Sequence, residues 1–189
     1  LSIPTVTTPE QIVNQGKKFT ISIEDPNKCS RYVGVVMDNI QVSPSPAWLK
    51  NRLEAIGLRS INNIVDVTNY VMYEWGQPLH AFDADNLKGS TIHIKSFDDT
   101  QEFTTLDGIV REVPSGSLFI CDDEQIIAIA GIMGGENSEV SLSTTTIVLE
   151  SAYFDPSVIR RCSKQLSLQT DASYRFERGI DTNNQLTTA

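Results

Sequence analysis

Two side chains in this sequence sit where structure alone gives no obvious reason for them. His80 lies in the stretch NYVMYEWGQPLHAFD (69–83), and Glu150 ends the apolar run TTTIVLE (144–150). His80 follows a helix pattern, a glycine stop at Gly76 and the stiff Pro78, so the chain has turned just before it. Such a histidine is either a packed corner residue or a group held out into a cleft to meet a substrate. Glu150 is a carboxylate at the end of a buried-looking strand, which is costly unless it is paired, protonated or waiting for a ligand. Arg160 and Arg175 are the candidates for a structural salt bridge to it. The segment GIMGGENSEV (131–140) packs three glycines, Gly131, Gly134 and Gly135, around a turn. It is either a plain strand connection or a place where bare backbone N–H groups approach a ligand oxygen. Thr68 falls inside an apolar helical stripe beside Asn69, where a threonine ordinarily bonds back to its own helix.

Other chemistries find no footing. DADNLKG (83–89) has the outline of a calcium loop, but Leu87 and Lys88 stand where a ligand and the glycine are needed. No glycine-rich phosphate loop ending in Lys-Ser/Thr and no His-Glu-x-x-His occurs. A cysteine nucleophile served by His80 would have to be Cys121, which lies in an apolar strand where a thiol is inert. Two histidines and three scattered cysteines do not readily build a metal site.

The elements that must position these residues are legible in outline. KKFTISI (17–23) reads as an edge strand after a polar linker, so that residues 1–27 look like a linker and edge strand from a preceding domain. RYVGVVMDNIQV (31–42) is strand-like. A helix follows, with Ser45 as N-cap, Pro46 at its first position, Gly57 past its end, and Trp48, Leu49, Leu53 and Ile56 as its buried face. A second helix spans Ile61 to Trp75, with Ile61, Ile64, Val65, Val71, Met72 and Trp75 as its apolar stripe. STIHIKSF alternates as a strand, with Ile92 and Ile94 inward and His93 on the polar face. Residues 101–113 read as a hairpin with Asp107-Gly108 as a two-residue turn. Two strands flank the acidic turn after Cys121, TTTIVLESAYF (144–154) is another whose apolar run ends in Glu150, and helices open at Asp155-Pro156 and within DASYRFERG. Strands and helices without a βαβα repeat predict an α+β fold of mixed and antiparallel sheets with flanking helices, as two intertwined subdomains around one cleft.

The bulk numbers fit. A chain of 189 residues, 40% hydrophobic and 21% charged, can bury one good core or two small ones sharing an interface. No apolar run is long enough to span a bilayer and no secretory signal is apparent, so no membrane partner is expected, and three scattered cysteines without paired spacing fit a reducing, cytoplasmic setting. The chain begins at Leu1 and reads as a piece of a longer one. Its net charge of −9 is uneven: −10 over residues 1–150 and +1 over 151–189. An acidic body repels phosphate backbones, so any nucleic acid would be gripped mainly by something else.

Taken together and in order, four segments carry a resemblance. IVDVTNYVMYEWGQPLHAFD, AIAGIMGGENSEV, LESAYFDPSVIRR and TDASYRFERGID resemble the hallmark segments of the bacterial phenylalanyl-tRNA synthetase beta chain, in its central tRNA-editing module. The likeness covers roughly Arg31 to Asp181, and it implies an editing module over 28–189.

That resemblance implies a reaction: hydrolysis of the ester of tyrosine mistakenly attached to the phenylalanine tRNA. An apolar pocket rejects an added hydroxyl only about 100-fold, whereas a site built to hydrogen-bond the hydroxyl discriminates by roughly 10⁴–10⁵. By this likeness Glu150 reads the tyrosine hydroxyl. His80 and Thr170 are the catalytic residues, with His80 near the ester or terminal ribose. Thr68, Asn69, Pro78, Gly131, Gly134 and Ala172 bind the substrate, and a larger side chain at Ala172 would fill the pocket. Backbone N–H groups near Gly134 would meet the oxyanion, and the substrate's own ribose hydroxyl could serve as base. No metal or other cofactor is implied for editing, ATP and Mg²⁺ belonging to the full synthetase. The implied partners are the aminoacylated 3′ end of tRNA(Phe) and a synthetase alpha chain in an α2β2 assembly. The competing reading is a non-catalytic RNA-binding or scaffold module of the beta chain.

Overall fold

A computed structural model describes residues 16–189. The linker expected before the first strand lies outside the described residues, but the edge strand forms as β1 (Thr20–Ile23). β1 pairs in parallel with β4 (Thr91–Ser96), and antiparallel neighbours follow: β7 (Leu118–Cys121), β8 (Ile126–Ile129) and the short β9 (Met133–Gly134). A second, three-stranded antiparallel sheet sets β10 (Thr146–Phe154) between β2 (Cys29–Asp38) and β3 (Leu79–Asp83). A separate hairpin, β5 (Gln101–Thr104) and β6 (Val110–Val113), completes the strands. The class is the expected mixed α+β.

Apolar runs explain which strands are central. β10 is buried along nearly its whole length, as a strand covered on both faces must be. One core joins the two sheets, taking Phe82, Val148, Ala152 and Phe154 from the smaller and Ile92, Ile94, Phe119, Ile120, Ile127 and Ile129 from the larger. Gly131, at φ 66°, turns the chain between β8 and β9 where a Cβ would stand 3.0 Å from the rings of Phe154 and Phe176. Only glycine meets both demands there.

Among the described residues five α-helices flank the sheets: α1 (Ala47–Ala55), α2 (Asn63–Trp75), α3 (Pro156–Gln165), α4 (Asp171–Phe176) and α5 (Gln185–Thr188). α2 ends at Gly76 in the left-handed region, as its sequence predicts. Its start differs. Asn62 is the N-cap, accepting from the Ile64 and Val65 amides, and Ile61 lies outside the helix and is exposed. Ser45 is not the cap of α1 either. Pro46 takes that position, and the Ser45 hydroxyl donates to Asp66, a buried carboxylate that also receives the Ser60 hydroxyl and the Ile61 amide. Of the face expected to be buried on α1, Leu49 and Leu53 are, but Trp48 and Ile56 are more than half exposed. Trp48 instead meets Tyr70 edge-on under the Arg52 guanidinium. The hairpin turn is longer than two residues. Thr104 pairs with Val110, and Thr105 leaves the ladder to bridge Gly135 while Arg111 clasps Asp107. His93 is where its alternation predicts, bonded at the surface to Asp123 at 2.9 Å.

Candidate functional site

Strand register brings the two singled-out residues together. The strand read over 144–154 forms as β10, and Glu150, where its apolar run ends, lies mid-way along it, with Gly34 of β2 opposite on one side and His80 of β3 opposite on the other. Cross-strand partners share a face, so the carboxyl and the imidazole point the same way from adjacent strands. His80 is thus a strand residue, presented by β3 just after the α2 stop and Pro78.

A cleft opens over this face in two adjoining compartments. Glu150, His80 and Pro78 line the inner one, which β7–β9 and α4 close with Ile120, Ala128, Gly131, Gly134, Ala172 and Phe176. The outer one adds Thr68 and Asn69 from α2 and Thr170 from the start of α4. His80, Gly134 and Ala172 border both. All nine residues singled out in the sequence therefore line one cleft. Among the described residues no lysine or arginine lines either compartment.

Glu150 is only 6% exposed. The alternative reading, a structural salt bridge, does not form: among the described residues neither Arg160 nor Arg175 pairs with Glu150, Arg175 pairing with Asp171, and the carboxyl's hydrogen-bond partner is the buried Tyr32 hydroxyl, which donates to Oε2 at 2.7 Å. Burial pushes the carboxyl up to about 7, with the Tyr32 hydrogen bond working against that rise. The same burial, then the carboxylate's charge, pushes the Tyr32 phenol well up and the Cys29 thiol to about 12. Burial of Cys121 likewise drives its thiol to about 12, which removes it as a nucleophile at neutral pH.

His80 is held by shape rather than by hydrogen bonds. Its ring packs edge-on against Phe82, with centroids 4.6 Å apart. On its other side lies Gly134, where a Cβ would fall 2.6 Å from both Cε1 and Nε2. Burial lowers its pKa to about 4, so the imidazole is neutral at pH 7, with one ring nitrogen a donor and the other an acceptor.

The outer residues divide. Thr68 donates to the Val65 carbonyl at 2.8 Å, the ordinary behaviour of a helix threonine, while still bordering the cleft. Asn69 makes no side-chain hydrogen bond to another described residue. Thr170 is the N-cap of α4: it accepts from the Ser173 amide and donates to the Ile132 carbonyl at 2.9 Å. That ties α4, and Ala172 with it, to the glycine bend, and leaves the hydroxyl one lone pair. Within the bend the amides of Ile132 and Gly135 are committed to the Ile129 and Ile127 carbonyls.

Tyr32 is the residue that sequence reasoning missed. Its signal was faint: a tyrosine in a buried strand needs a partner for its hydroxyl, and Gly34, two residues on, leaves the space beside that partner open. Among the described residues no group of three or more His, Cys, Asp or Glu side chains could hold a metal ion, and no helix is long and apolar enough to cross a membrane.

Known proteins with this sequence pattern are consistent in kind. The chain is 52% identical over 186 residues to the phenylalanine–tRNA ligase beta subunit of Salinibacter ruber, covering 98% of this chain and 22% of that one. It is 56% identical over 165 residues to the same subunit of Geobacter sulfurreducens, covering 87% and 21%. The chain thus spans about a fifth of the length of these relatives. A crystal structure of an N-terminal fragment of the phenylalanyl-tRNA synthetase beta subunit from Pyrococcus horikoshii shares its fold, with a TM-score of 0.56 at 13% identity, covering 80% of this chain and 48% of that one. A family model described as the B3/4 domain matches residues 28–189, and the chain belongs to the B3/4 domain family.

Proposed function

We propose that this chain is the editing module of a phenylalanine–tRNA ligase beta subunit and hydrolyses tyrosine from mischarged Tyr-tRNA(Phe). The observation that carries this reading is Glu150: a buried carboxyl with no cation beside it among the described residues, lining the apolar inner compartment of the cleft. Such a group is a standing cost to the fold, which a phenolic hydroxyl donating to its second oxygen would offset. Phenylalanine brings no donor and leaves the carboxyl unmatched, so discrimination comes from what the correct product lacks.

In this reading the tyrosyl ring enters the inner compartment past Ala172, and the ester and terminal ribose occupy the outer one. Asn69, with its amide unengaged, and Thr170, with its remaining lone pair, hold the ribose or the amino group; Thr68 and Pro78 shape the walls. Water attacks the ester carbonyl, the tetrahedral intermediate collapses, and tyrosine leaves with the ribose oxygen taking a proton. His80 acts as a neutral hydrogen-bonding group that orients water or ester. A base whose conjugate acid titrates near 4 takes protons poorly at pH 7, so in this reading His80 orients the attacking water and the substrate's ribose hydroxyl relays the proton between the water and the departing ribose oxygen. The committed amides of Ile132 and Gly135 are ruled out as oxyanion donors. No step draws on a metal; ATP and Mg²⁺ would serve ligation elsewhere in the synthetase. Partners on this reading are the aminoacylated 3′ end of tRNA(Phe) and an alpha chain in an α2β2 assembly.

The test is deacylation of Tyr-tRNA(Phe) by the complete synthetase, wild type against Glu150→Ala. Loss of Tyr-tRNA(Phe) deacylation, or of its preference over Phe-tRNA(Phe), is expected. Equal rates and equal preference in the two enzymes would leave a non-catalytic scaffold as the better account.

A further inference from the structure

Behind the cleft wall, a second tyrosine hydroxyl already occupies the oxygen of Glu150 that the substrate would not need. We infer that Tyr32 is a positioning residue for tyrosine recognition: it fixes the Glu150 carboxylate through Oε2 and presents Oε1 to the substrate phenol. This rests on the editing reading above.

The geometry is set by strand register. Glu150 faces Gly34 across the β2–β10 pair, and Tyr32 faces Ala152, two residues along the same face. Tyr32 is therefore the diagonal neighbour of Glu150, a separation an aromatic side chain spans. Gly34 puts no side chain in between; the nearest approach to a Cβ built there is Ile21 Cδ1 at 3.4 Å, with the Tyr32 ring at 3.9 Å. Tyr32 is buried and takes no part in the cleft lining, whereas Glu150 does. The phenol thus grips the carboxyl from the protein side, at 2.7 Å.

Two consequences follow for recognition. A glutamate has three rotatable torsions, and one strong hydrogen bond to one oxygen removes much of that freedom before substrate arrives. The bond also favours the ionised carboxyl. An ionised carboxylate only accepts, so its free oxygen demands a donor from the ligand; a protonated one is a weaker acceptor and demands less. The other titratable groups near Glu150 do not compete for this role. Cys29 on β2 holds its proton and bonds the Arg31 carbonyl, and His80 on β3 is neutral. β7, β8, β9 and α4 contribute no charged residue to the inner compartment.

The experiment uses the complete synthetase and compares deacylation of Tyr-tRNA(Phe) with that of Phe-tRNA(Phe) from about pH 5.5 to 8.5, spanning the ordinary and the raised carboxyl range. Tyr32→Phe keeps the ring and removes the donor. Its Tyr-over-Phe ratio should fall about ten- to a hundredfold, the span of a hydrogen bond to a charged group. The pH at which that ratio is half-maximal should move upward, because the group opposing the raised pKa is gone. A ring-fluorinated tyrosine at position 32, a stronger donor of the same shape, should move the midpoint downward. A purely structural role for Tyr32 would move neither midpoint. Glu150→Gln runs alongside. If Glu150→Gln loses discrimination while Tyr32→Phe keeps both the wild-type ratio and midpoint, the positioning role is wrong and the editing reading stands. If Glu150→Gln also keeps wild-type discrimination, the editing reading itself has failed.

Discussion

At the scale of single residues, the site is defined by one acid and one base that both resist being charged. Burial raises Glu150 from 4.5 to about 7 and lowers His80 from 6.5 to about 4, and these shifts act on stability with opposite signs. Between pH 4.5 and 7 the folded state holds a proton on Glu150 that the unfolded state has released, so this stabilisation is full below 4.5 and is lost as pH rises through 7. Between pH 6.5 and 4 the unfolded state protonates His80 and the folded state does not, so that contribution is lost as pH falls. Glu150→Gln cannot ionise. Relative to wild type it should gain about 3 kcal/mol of stability between roughly pH 4 and 8, measured by denaturant unfolding at both ends. A pH-independent difference would mean that the carboxyl is not desolvated. The cost of a carboxylate after the apolar run TTTIVL was legible in the sequence; its partner was not, because Tyr32 lies 118 residues away and only strand register brings it near.

At the scale of elements, most of the positioning is local. The Gly76 stop, the Asp155 cap with Pro156 behind it, and the inward Ile92 and Ile94 are each set by neighbours a few residues off, and each was readable from the chain. The α1 face was not. Periodicity assigns Trp48 and Ile56 to the interior, but among the described residues both stay more than half exposed, Trp48 meeting the Tyr70 ring and the Arg52 guanidinium at the surface, and amphipathic pattern does not say how wide the covered stripe will be. Ser45 was misassigned for a related reason: a serine before a helix can cap it or reach a distant acid, and here the buried Asp66 wins. The element that holds the cleft together is the start of α4. Thr170 caps this helix and ties it to the Ile132 carbonyl, so Thr170→Ala should cost about 1–2 kcal/mol and let Ala172 shift from the wall. Thr170→Ser restores both hydrogen bonds. Thermal unfolding should rank the three as wild type, then Ser, then Ala, and deacylation by the complete synthetase should follow the same order if position rather than the methyl group matters. Serine no better than alanine would mean that the cap does not carry the effect.

At the scale of the whole molecule, the charge distribution divides recognition between this chain and whatever surrounds it. The chain carries a net charge of −9, and among the described residues five lysines and arginines are already paired: Lys17 with Asp85, Lys50 with Glu54, Arg111 with Asp107, Arg175 with Asp171 and Arg178 with Glu177. The cleft wall adds none, and Asp171 borders its mouth. A net negative body repels a polyanion overall; Arg160 and Lys164 of α3 and Arg178 just past α4 do line one groove, but Glu177 sits among them. Affinity for nucleic acid comes chiefly from neutralised phosphates and the counterions they release, so a body of this charge has little to offer. The 189-residue chain alone should therefore bind tRNA more weakly than about 10⁻⁵ M at physiological salt, and lowering the salt should strengthen binding only slightly, because few phosphates are engaged. Gel retardation of uncharged tRNA across a salt series measures both. If the isolated chain holds tRNA tightly with a steep salt slope, the division is wrong and this domain carries a phosphate-binding surface of its own. If it does not, the result fits the proposed editing role, in which this domain meets only the aminoacylated tip and discriminates there with an apolar hollow and one buried carboxyl held by Tyr32.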